Sequence, residues 1–183
     1  MIPDNDIKAL FEAANQSLLT CDKELFENQV SERMLCGALM LHFHNCMQND
    51  SSKWNGYHAD VEYNRNKGSI KGFKTIYSSG GIIRINCDLI VHSRGHITEQ
   101  DNLIAIEMKK FSRPQVEKNK DRERLIVLTS SPSDDECIDP HKLPEHVCGY
   151  ALGVYYEINY HRRSILIEYY RHGEPDGSST LYF

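Results

Sequence analysis

From Asn86 to Lys110 the chain reads NCDLIVHSRGHITEQDNLIAIEMKK, and the reading of this stretch decides the fold. It holds two apolar runs, within expected strands at 82–92 and 102–109, joined by a polar connection containing Gly95. Strand side chains alternate faces, so Ile104, Ile106 and Met108 share one face and Glu107 and Lys109 the other. Apolar residues on both faces mark a central strand covered on both sides. Charge at such positions is costly to bury and needs a metal, a substrate or an opposite charge.

Outward from these strands, the pattern predicts a mixed α/β sandwich around one sheet. Ile7, Leu10, Phe11 and Ala14 repeat at helical spacing in a short N-terminal helix or arm over residues 1–20. A longer helix is expected over 22–47, its stripe formed by Leu25, Leu35, Leu39, Phe43 and Cys46. Glu32 falls on that same stripe, three residues before Leu35. Val61–Arg65 reads as the first strand and 66–81 as a loop or irregular hairpin. A charged helix follows over 116–129, then an acidic, proline-containing loop over 130–144. Residues 149–160 and 164–170 complete the sheet, and the tail after Gly173 is expected to fray. No repeat or linker divides the 183 residues, so a single domain is expected.

Composition narrows the function classes. At 40% hydrophobic and 26% charged the chain is of ordinary globular type, and no apolar run approaches the roughly 18 residues of a membrane span. Acidic residues in MIPDNDIKALFEAAN stand where a signal peptide is basic, which makes the cytoplasm the expected location. Six scattered cysteines without a C-x-x-C pair suggest neither a disulfide framework nor a zinc site. His42 and His44, about 200° apart on a helix, cannot share a metal. The net charge of −5 disfavours a nonspecific DNA coat protein but leaves nucleic-acid enzymes open. Between Lys109 and Arg124 there are seven Lys or Arg against three Asp or Glu, a candidate phosphate-tracking surface or simply a solvated face.

Pairing of the two central strands would set Asp88 beside Glu107. Adjacent carboxylates repel, and one takes up a proton unless a cation neutralises the pair. Mg²⁺, with Mn²⁺ as a substitute, suits such oxygen ligands and also contacts phosphates. Lys109 on the same face could orient or deprotonate a water, or stabilise charge on a phosphorane. Glu32 is a further candidate ligand. The chemistry indicated is metal-dependent phosphodiester hydrolysis. On spacing alone, a salt bridge between Glu107 and Lys109 accounts for the charges equally well. His92, on the Asp88 face, could approach substrate or be a hydrogen-bonded strand-end residue. Trp54 could stack on a base or anchor a loop.

The segments VEYNRN, CDLIVHSRG and NLIAIEMKK, preceded by a helix with SERML, resemble the PD-(D/E)xK nuclease superfamily, particularly its small bacterial members. The resemblance runs from about Ser31 to Tyr156, and Cys87 stands where the motif's name has proline. It implies a restriction-endonuclease-like α-β-β-β-α-β core, a mixed sheet flanked by helices. It also implies a Mg²⁺ site formed by Asp88, Glu107, the Met108 carbonyl and Glu32, with Lys109 as the catalytic lysine. Nucleic acid is the implied partner, DNA favoured over RNA, with Arg65, Lys110 and Arg113 as candidate contacts. A role in bacterial or phage defence or restriction, with a protein partner or homodimer, fits the same resemblance. The alternatives are a catalytically silent nucleic-acid-binding or scaffolding protein and a structural subunit with a buried ion network.

Overall fold

The computed structural model describes residues 1–62, 87–131 and 148–183; from 63–86 it describes only the backbone of four short strand segments. Those segments form two ladders, Arg65–Asn66 with Ser69–Ile70 and Gly72–Lys74 with Ile82–Arg84.

The helices are α1 (Asp4–Cys21), α2 (Lys23–Glu27), α3 (Glu32–Asn49) and α4 (Gln115–Thr129). The main sheet comprises β1 (His58–Val61), β2 (Leu89–His92), β3 (Asn102–Lys110), β4 (Leu152–Asn159), β5 (Ser164–Arg171) and β6 (Glu174–Tyr182). Its strands lie side by side in chain order. All neighbours are antiparallel except β3 and β4, which are parallel and joined through α4. The molecule is thus α/β, with helices on both sheet faces. No helix among the described residues is long and apolar enough to cross a membrane.

Alternation along the strands explains this layering. Leu89, Val91, Ile104, Ile106, Met108, Val154, Tyr156 and Ile158 join the core beneath α1 and α3. Ile90, Ala105 and Tyr155 join a smaller cluster with Leu125 and Leu128 of α4. The N-terminal helix is no loose arm. Its stripe continues through Leu18, Phe11 packs edge-on to Tyr169 at 6.1 Å, and Asn15 accepts a hydrogen bond from the buried Tyr156 hydroxyl at 2.9 Å. Trp54, 7% exposed, is a core anchor and not a stacking platform.

Four expected boundaries change. The helix expected over 22–47 breaks at 28–31, where Gln29 adopts a positive φ and Ser31 caps α3 by accepting from the Met34 N–H. The first strand lies earlier, at His58–Val61, and Glu62 ends it with a φ of 49°. The strand expected over 82–92 is divided, since Ile82–Arg84 pairs outside the main sheet and β2 begins at Leu89. The tail after Gly173 does not fray: it pairs with β5 as an edge strand, accommodating Pro175 through an irregularity between Pro175 and Ser178. The expected loop over 130–144 lies, beyond Ser131, outside the described residues.

Gly153 of β4 lets α4 settle onto the sheet. A Cβ there would stand 2.9 Å from Thr129 Cγ2 and 3.1 Å from Tyr170 Cβ. Gly153→Ala should therefore cost about 1–3 kcal/mol by overpacking, read as a lower urea midpoint with an unchanged slope. An unchanged midpoint would show that the helix retreats freely.

Candidate functional site

Three elements meet at the site: the entry to β2, the far half of β3 and the inward face of α4. Leu89 pairs with Ile106, so the register carries Asp88 next to Glu107. Asp88 accepts a hydrogen bond from the Met108 N–H at 2.8 Å and keeps 30% of its side chain exposed. Lys109 emerges on the same face, its Nζ 3.9 Å from Asp88 Oδ2 and 3.2 Å from Asp121 Oδ2. Glu107 is fully buried. Arg124 Nη1 donates to its Oε1 at 2.5 Å and lies 3.3 Å from Asp121 Oδ1. Among the described residues the second Glu107 oxygen is buried without a charged partner, the Cys87 thiol being the neighbouring polar group.

The sequence thus brings together Asp88, Glu107 and Lys109, while Asp121 and Arg124 complete the group unannounced. Their one signal is position: Lys118, Asp121, Leu125 and Leu128 form the buried side of α4. Charged residues on that side oppose charged residues of the sheet. Lys118 meets Glu157 at 3.2 Å, and Arg122 grips Glu168 through two bonds of 2.7 and 3.1 Å while stacking on Tyr155. These basic residues therefore do not form the phosphate-tracking surface that composition suggests. They hold α4 to the sheet.

Glu32, the first residue of α3, is held at the end of β3. Its Oε1 accepts from the Lys110 N–H at 2.8 Å, and Arg113 Nε lies 3.4 Å away. Lys110 Nζ donates to the Gln29 carbonyl at 3.1 Å. Arg113 retains 52% exposure, whereas the Arg65 side chain lies outside the described residues. His92 is buried and within 2.9 Å of Asp60, which Arg94 also grips through two bonds. That makes it a structural strand-end histidine rather than a substrate contact. Glu62 pairs with Arg33 at 3.3 Å.

The electrostatics follow from counting. Asp88, Glu107 and Asp121 carry three potential negative charges, and Lys109 and Arg124 two positive ones, leaving one negative charge uncompensated. Burial, reinforced by Asp88 and Asp121 against the pull of Arg124, pushes the Glu107 carboxyl up to about 8. Burial also raises Asp88, despite Lys109 and the Met108 N–H. For Lys109, burial works against the charge, but Asp88, Asp121 and Glu107 outweigh it and raise the ammonium above the ordinary lysine value. Lys109 is therefore a cation that can stabilise developing charge, not a free base. Burial raises Cys36 and Cys87 as well, so neither offers a thiolate.

Asp88 and Glu107 suit a hard divalent ion. Both are oxygen donors whose charged forms lack full compensation, and one Glu107 oxygen has no charged partner among the described residues. Among the described residues, however, no three Asp, Glu, His or Cys side chains form a ready metal cluster. Compared with protein-family models, curated proteins and solved structures, the chain finds no match in any of the three.

Glu107 gives a pH dependence whose direction is fixed. The folded state holds this proton to about 8, whereas the unfolded value is 4.5. Its contribution is complete below 4.5 and declines as pH rises toward 8. In chelator-containing buffer, denaturation of the parent should lose stability across that window relative to Glu107→Gln. Parallel curves for the two proteins would show that Glu107 folds ionised.

Proposed function

We propose that the chain is a metal-dependent nuclease, hydrolysing phosphodiester bonds of nucleic acid on a restriction-endonuclease-like core. The antiparallel β1–β2–β3 unit, followed by a helical crossover to parallel β4, agrees with the strand order of that superfamily. One observation carries the functional reading: Asp88 and Glu107 form a carboxylate pair beside Lys109 in a cluster one positive charge short of neutrality when fully ionised, with a buried Glu107 oxygen that no charged group among the described residues answers.

Asp88, Glu107 and the Met108 carbonyl would hold Mg²⁺ or Mn²⁺. The ion, when bound, supplies Lewis-acid polarisation of the phosphate and lowers the pKa of a bound water. Lys109, kept charged by Asp121, faces the same side and stabilises negative charge growing on the phosphoryl oxygens. Arg124 orients Glu107. Glu32 anchors the end of β3 through the Lys110 amide and leaves Arg113 at the rim for a backbone phosphate. A second reading, a silent nucleic-acid-binding protein with the same core, draws on Arg124, which already neutralises one Glu107 oxygen.

The protein incubated with Mg²⁺ or Mn²⁺ should cut at least one of single- or double-stranded DNA or RNA. Glu107→Ala and Lys109→Ala should each lower the rate by about 100-fold or more. Equal cutting by the variants would overturn the catalytic assignment, and nucleic-acid binding without cutting would favour the silent protein. By calorimetry, Mn²⁺ should bind the parent and lose at least about tenfold in affinity with Asp88→Asn. Unchanged affinity would remove Asp88 from the ligand set.

A further inference from the structure

The carboxyl ends of β3 and β4 open onto a cleft of about 580 Å³, across the strand end from the Lys109 side. Carboxyl ends of parallel strands are where open α/β sheets bind ligands, and this volume suits a small organic molecule. Its walls combine cations with aromatic rings. Lys110 lies over the Tyr160 ring at 5.3 Å, and Phe111, although 54% exposed, is held with Lys118 Nζ at 4.5 Å from its ring centre. Arg163 lies opposite, 55% exposed, donating to the main-chain oxygen of Phe183 at 2.9 Å and 3.6 Å from Glu27. His161 adds a third basic side chain, and Glu27 is the one acidic side chain among the lining residues.

We propose that this cleft binds a nucleotide, its base against Phe111 or Tyr160 and its phosphate on Lys110 and Arg163. Aromatic faces accept any base by stacking, and a guanidinium matches phosphate oxygens in a forked geometry. The choice of a nucleotide among aromatic anions rests on the nuclease reading of the neighbouring site. Lys110 immediately follows Lys109 but faces the other side of the sheet, so a strand seated here would turn around the end of β3 to reach the candidate catalytic lysine. The same chemistry could come from a free mononucleotide or from an unpaired nucleotide of a strand.

Binding is tested in chelator, where no cutting occurs, using a 5′-mononucleotide by calorimetry and a short single-stranded oligonucleotide by fluorescence anisotropy. Arg163→Glu and Phe111→Ala alter exposed side chains, and melting curves confirm that both variants fold. Each substitution should weaken binding about tenfold or more, with rising salt weakening the Arg163-dependent part. Mononucleotide binding identifies a free nucleotide as a sufficient ligand; binding of the oligonucleotide alone identifies the strand. A parent that binds neither ligand, or variants that bind as the parent does, overturns the cleft. If Arg163→Glu also cuts nucleic acid like the parent while Glu107→Ala does not, the cleft falls and the nuclease reading stands. Arg163-dependent nucleotide binding without metal-dependent cutting keeps the cleft and removes the nuclease.

Discussion

Glu107 has no exposed surface, yet it sits among two other carboxylates with, among the described residues, two cations to answer them. The cluster of Asp88, Lys109, Asp121 and Arg124 around it follows from this constraint. Burying a carboxylate without compensation is too costly for a domain to tolerate, so the group must take a proton, a partner or an ion. Arg124 supplies one partner, at one oxygen. The remaining demand distinguishes this cluster from the neighbouring pairs of Arg122 with Glu168 and Lys118 with Glu157, where acid and base are matched. Those pairs fasten α4, and the unmatched cluster keeps one carboxylate more than it has cations among the described residues.

The elements legible in the sequence are those in which one force dominates. The centre of β3 is buried on both faces, and its alternation places Glu107 and Lys109 together without reference to any other strand. Pairing with β2 then brings Asp88 alongside, because the register shifts only beyond Val91. The α1 and α3 stripes were equally plain, being apolar at helical spacing. Where hydrophobicity and local geometry agree, sequence periodicity is sufficient.

The rest was hidden where polar partners replace apolar ones. The inward side of α4 carries Lys118 and Asp121 beside Leu125 and Leu128, and only the sheet shows which charges face in. Periodicity cannot reveal an ion pair whose other half is 46 residues away, as with Arg122 and Glu168. The last strand was obscured by its exposed pattern, since an edge strand stabilised by a backbone ladder needs few buried side chains. Ser31 offered a cap, and the ten-residue step in the apolar stripe from Leu25 to Leu35 falls where the helix stops.

That break between α2 and α3 has a consequence for the sheet. Within a helix, backbone carbonyls are consumed by amides one turn on. Released at the break, the Gln29 carbonyl takes the Lys110 ammonium, the Val30 carbonyl takes the Tyr160 hydroxyl, and Glu32 takes the Lys110 amide. Three acceptors within four residues thus become a clasp across the ends of two parallel strands. A continuous helix would have engaged the Gln29 and Val30 carbonyls in its own ladder. The interruption ties the helical layer to the rim of the sheet, at the backbone beside Lys109.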